Sequence, residues 1–92
     1  MDEHDIHILY EQLSGKYNLL LTTTMALDEG FTIDVPVLCG QTPKGKFFLY
    51  KEYDDSSEFV FSVDYTDKSS THWHPYSIEI ALDDIIRFME DI

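Results

Sequence analysis

Leu19-Leu20-Leu21-Thr22-Thr23-Thr24-Met25-Ala26-Leu27, then Asp28-Glu29-Gly30, then Phe31-Thr32-Ile33-Asp34-Val35-Pro36-Val37-Leu38-Cys39, is the stretch whose reading decides the fold class. In the first run Leu19, Leu21, Thr23, Met25 and Leu27 fall on one side and Thr22 and Thr24 on the other, the period of two that marks a strand. In the second run Phe31, Ile33, Val35, Val37 and Cys39 alternate with Thr32, Asp34, Pro36 and Leu38. A turn this short returns the chain antiparallel, because a parallel return needs a crossover of a dozen or more residues. Pro36 lacks a backbone donor, which places the second strand at an edge or gives it a bulge.

The same reading extends toward the C-terminus. Pro43-Lys44-Gly45 has the chemistry of a hairpin tip, with Pro presetting φ and Gly free to take a positive one. Lys46 to Tyr53 is β-rich on both parities, Phe47 and Leu49 against Phe48 and Tyr50, so its buried face stays open and its aromatics invite a second layer or a second chain. After the turn cluster Asp54-Asp55-Ser56-Ser57, the residues Phe59, Phe61, Val63 and Tyr65 alternate with Glu58, Val60, Ser62 and Asp64. Asp67 to Ser70 reads as a loop and Thr71 to His74 as a short fifth strand, with His74 extended because it precedes Pro75.

Helical periodicity bounds both sides of this region. Ile6, Leu9, Leu13 and Tyr17 share one face of a helix over residues 3–14, with Asp2, Glu3 and Asp5 at its dipole-favoured start and Ser14-Gly15 as its stop. Ser77 reads as the N-cap of a last helix with Glu79 and Asp83-Asp84 early and Arg87 late. Its buried stripe is Ile78, Leu82, Ile85, Met89 and Ile92, widened by Ala81, Ile86 and Phe88. Leu21, Ile33, Val35, Phe59, Phe61 and Val63 form a sheet face that needs a cover, and the two amphipathic helices supply it. The expected fold is α+β: a two-layer sandwich in which an N-terminal and a C-terminal helix pack on one face of an antiparallel meander of four or five strands, with residues 1–92 as one domain.

Composition narrows the function classes. Eighteen Asp and Glu against six Lys and Arg give a formal charge of −12, which repels phosphate backbones and anionic lipid, so neither nucleic acid nor membrane is expected as a partner. Hydrophobic residues at 43% argue against disorder, and no apolar run approaches the ~20 residues of a membrane span. The single Cys39 cannot form an internal disulfide, and the acidic opening Met1-Asp2-Glu3-His4-Asp5 is unlike a secretory leader, which together point to a soluble cytoplasmic protein.

The chemistry-bearing motifs are few. His72 and His74 flank Trp73 and project from one side of an extended segment, a spacing that chelates a metal; His4 and His7 would complete the three or four nitrogens zinc takes if the ends of the fold met. The plainer reading has His72 and His74 bonded to loop backbone. Cys39 shares parity with Val35 and Val37 and is expected in the core as an inert thiol. Asp54-Asp55-Ser56-Ser57-Glu58 lacks the glycine and distal glutamate of a calcium loop, and the glycines at 15, 30, 40 and 45 read as turn makers. No nucleophile elbow, phosphate loop or zinc-protease motif occurs, so no enzyme and no cofactor are expected.

What remains is charge. Lys44, Lys46 and Lys51 put half of the cations near one hairpin and leave the rest of the chain strongly anionic. The leading expectation is a non-enzymatic protein-binding domain of the immunity or inhibitor kind that neutralises a basic partner through Asp54, Asp55, Glu58 and Asp64, with Tyr50 and Tyr53 beside them. The alternatives are a metal-binding protein using His72 and His74 with His4 or His7, and an obligate homodimer or complex subunit signalled by the aromatic strand from Phe47 to Tyr53.

Overall fold

The computed structural model describes residues 2–28, 31–51 and 59–90, with side chains at 5–23, 34–51 and 59–90. Helix α1 (Asp2–Leu13) is followed by five strands, β1 (Leu19–Asp28), β2 (Phe31–Thr42), β3 (Gly45–Tyr50), β4 (Val60–Tyr65) and β5 (Ser70–Trp73), and by helix α2 (Ile78–Glu90). The strands form one sheet in chain order, every neighbouring pair antiparallel. The α+β meander expected from the periodicities is the observed fold.

Register decides which residues face the helices. Leu21 stands opposite Leu38, Leu38 opposite Leu49, Leu49 opposite Phe61, and Phe61 opposite Trp73. Cross-strand partners share a face. This face buries Leu19, Leu38, Phe47, Leu49, Phe61 and Val63 against Ile6, Leu9 and Leu13 of α1 and Ala81, Ile85 and Phe88 of α2. The open parity of the third strand is thereby settled: Phe47 and Leu49 are fully buried under the helices, while Phe48 and Tyr50 are half-buried on the far face. Since β3 is the central strand, it offers no edge to a second chain.

Strand β2 departs from the expected pattern. Its strong alternation of Ile33, Val35 and Val37 suggested the helix-covered face, but the turn length puts even-numbered residues of β2 opposite odd-numbered residues of β1. Leu38 therefore meets the helices, and Val35, Val37 and Cys39 are buried on the other side of the sheet, outside the main core cluster. Pro36 carries no bulge, because the pairing with β1 is continuous. It does lie beyond Leu38, the last rung to β3, so on that side its stretch of β2 is locally an edge and no donor is missed.

Gly40 is not a turn maker. It sits inside β2 opposite Phe47, and a Cβ there would come within 2.4 Å of the Phe47 ring and 3.0 Å of Leu19 and Met89. The bare backbone is what lets the Phe47 ring lie flat. Gly40→Ala is expected to cost about 1–3 kcal/mol by overpacking, seen as a lower urea midpoint with an unchanged slope.

In α2 the Ser77 cap is formed as expected, the Ile80 N–H donating to Ser77 Oγ at 3.2 Å. The buried stripe is centred on Ala81, Ile85 and Phe88, while Ile78, Leu82 and Met89 flank it half-buried; Ile92 lies outside the described residues. Among the described residues no helix is long and apolar enough to cross a membrane.

Candidate protein-binding end of the sheet

The meander has two ends, and they differ in charge. At one end β3 finishes at Tyr50, opposite Val60 at the start of β4, so the chain leaves the sheet at Lys51 and returns at Phe59. The Lys51 Nζ lies 3.1 Å from Asp5 Oδ2, which brings the first turn of α1 to the same end. The Phe59 N–H donates to the Pro75 carbonyl at 2.7 Å and brings the approach to α2 there as well.

These contacts bring the starts of α1 and α2 to the end of the sheet where the chain leaves at Lys51 and returns at Phe59. Asp2 and Glu3 lie in the opening turn of α1 beside Asp5, the segment joining Lys51 to Phe59 contains Glu52, Asp54, Asp55 and Glu58, and Glu79 begins α2. The ends of β1 and β2 at Asp28 and Phe31 lie toward this end too, because β2 travels from Phe31 to Thr42 antiparallel to β3. The only Lys or Arg in the sequence of these segments is Lys51. It is 8% exposed, held by Asp5, and packs its ammonium 4.8 Å above the Phe59 ring.

The other five cations gather at the opposite end. Lys44 is in the β2–β3 turn with its ammonium 4.9 Å above the Phe88 ring, Lys46 follows at the start of β3, Lys68 is in the β4–β5 turn, and Arg87 is in the last turn of α2. Lys16 sits 3.2 Å from Glu90, whose carboxylate also accepts the Tyr17 hydroxyl. The Tyr17 hydrogen bond first, and Lys16 second, hold the Glu90 carboxyl below its ordinary range. Hydrogen bonds from Ser69 do the same for Asp67 in the β4–β5 turn. Acids and bases are mixed here, and the basic residues at 44, 46 and 51 do not form one patch, since Lys51 is at the far end and buried.

The residues expected to contact a partner are therefore divided. Asp54, Asp55, Glu58 and Tyr53 lie outside the described residues. Tyr50 is half-buried at the last rung of β3 on that same end. Asp64 does not join them: it is exposed near the close of β4, opposite Lys46 and Ser70.

The histidines are divided as well. His72 and His74 are exposed and close, their ring centroids 5.5 Å apart and perpendicular. His7 is exposed on α1, which packs over β1 and β2 on the helix-covered face, whereas His72 is on the β5 edge and shares the other face with Ser62. The His4 side chain lies outside the described residues, and among those described no group of three or more His, Cys, Asp or Glu is placed to hold a metal ion. Cys39 is free and buried, and desolvation pushes its thiol up, away from the nucleophilic thiolate.

Sequence reasoning missed one polar link. Asp84, read as a dipole-compensating acid, accepts the Trp73 indole N–H at 2.8 Å and fixes the ring that stacks on Phe61. Beside them Lys44, Tyr65 and Arg87 line a half-open cleft of about 210 Å³. Their separation along the chain leaves no periodic signal. Comparison of the chain with protein-family models, curated proteins and solved structures finds no match.

Proposed function

We propose that this chain is a non-enzymatic, cytoplasmic protein-binding domain that neutralises a basic partner, in the manner of an immunity or inhibitor protein, through the acidic end of its sheet. The observation that carries the reading is the segregation of charge. The starts of α1 and α2 lie at the end of the sheet where Lys51 is buried and paired with Asp5, the chain between Lys51 and Phe59 carries four acids and no Lys or Arg, and the other five cations stay at the far end. A field of one sign at one end steers a cationic surface to that end, whereas mixed charge elsewhere gives it no purchase.

A lysine decapeptide serves as a probe in titration calorimetry. Binding is expected to weaken steeply with added salt, as contacts between exposed charges do. Neutralising three acids on the proposed surface, D54N/D55N/E58Q, is expected to reduce affinity roughly tenfold more than the charge-matched control D64N/D67N/E90Q at the other end, since a few rim charges contribute ~1–2 kcal/mol together. Equal losses for the two triple variants would sink this reading, because they would reduce it to net charge alone.

A further inference from the structure

The two edges of the sheet are protected very differently. β5 is four residues long and is followed two residues later by Pro75, so it offers little to an incoming strand. β1 is ten residues long, and from Tyr17 to Leu27 the chain has no charged residue, its longest such run despite a net charge of −12. Proteins blunt exposed edges with lysines, prolines or bulges, and β1 has none of these: its register with β2 is unbroken, and among the described residues no turn or cap bonds to its outer side. Leu20, 62% exposed, stands on this edge strand, and Thr22 and Thr23 are exposed beside it.

We propose that β1 is a self-association edge, pairing antiparallel with β1 of a second copy to make a continuous ten-stranded sheet about a two-fold axis. A second copy is the occupant that the charge pattern selects. Two chains of −12 repel over most of their surface and can approach most closely where charge is missing, and a basic partner is drawn to the acidic end instead. The strand is also self-complementary. Its sequence is close to palindromic about Thr23, so an axis there pairs position 22 with 24, 21 with 25 and 19 with 27, Thr with Thr and apolar with apolar by residue type. This inference does not depend on the function proposed above, and the two respond oppositely to salt: screening strengthens association of like-charged copies and weakens capture of a basic partner.

The test is sedimentation equilibrium of the intact chain at high micromolar concentration in low and high salt. The expected mass is that of the dimer, with the dissociation constant falling as salt rises. Thr23→Glu sets carboxylates face to face at the axis and is expected to raise that constant at least tenfold, with unchanged circular dichroism because Thr23 is exposed. Thr23→Lys behaves the same alone, and an equimolar mixture of the two variants regains the dimer mass. A monomeric mass in high salt overturns the proposal, as does a dimer indifferent to both substitutions. Should either variant lose its circular dichroism, a Thr22→Glu and Thr22→Lys pair decides the matter on the same criteria.

Discussion

Phe61→Ala is expected to lower the free energy of unfolding by about 3–5 kcal/mol, the range for removing a fully buried aromatic ring. Phe61 is completely inaccessible and central to the ring packing: its centroid is 5.1 Å from Phe47 in a near-parallel stack, 4.9 Å from Trp73 on its other side, and 6.5 Å from Phe88 edge-on. Truncation leaves a void that three rings line and that neither β3 nor β5 can close without losing its register with β4. A domain of this size has a total stability of ~5–15 kcal/mol, so the variant should populate unfolded chain measurably at 37 °C. Near-ultraviolet circular dichroism reports the loss directly, because the Trp73 band depends on that stack. A urea midpoint within experimental error of the parent would show that the aromatic cluster contributes little.

The second large effect is expected at the Asp5–Lys51 pair, and its size depends on which partner is removed. Asp5→Ala removes the carboxylate 3.1 Å from the ammonium of Lys51, a residue only 8% exposed, and losing one half of a largely buried ion pair is costly. Asp5 keeps about a third of its exposure, which admits water and scales the cost down to roughly 2 kcal/mol. Lys51→Met removes both the charge and its contact with the Phe59 ring but leaves an apolar side chain of similar length in the buried position, so it should be near neutral. The double variant Asp5→Ala with Lys51→Met should then be more stable than Asp5→Ala alone, a non-additivity that marks direct coupling. Lys51→Met should also tighten lysine-decapeptide binding, since it deletes the one base at the acidic end. Additive losses across the cycle would mean that the two side chains act independently.

How far the sequence carried can be read from particular residues. The meander was legible because the period of two changes at recognisable turn residues, and the pairing of neighbours follows from the brevity of those turns. Ser77 was legible because a cap is a local device. The burial of β2 was not: Val35 and Val37 are as apolar as Leu38, and only the cross-strand register assigns them to opposite faces. The acidic end was half legible. The acids of residues 52–58 could be seen as a run, but that the start of α1 reaches Lys51 rests on a contact between residues 5 and 51, and no periodicity encodes a separation of that length. Asp64 looked like a member of the same group for the complementary reason, since six residues along a strand carry a side chain ~20 Å away.

Because each strand hydrogen-bonds only to the one synthesised just before or after it, the sheet can assemble by successive local closures, each with a small loop-entropy penalty. The turn that follows α1 reaches the last turn of α2 through Lys16, Tyr17 and Glu90, so this contact closes the largest loop among these bonds. Hairpin formation should therefore precede helix docking, with the rate set more by ring packing around Phe61 than by any search for distant partners.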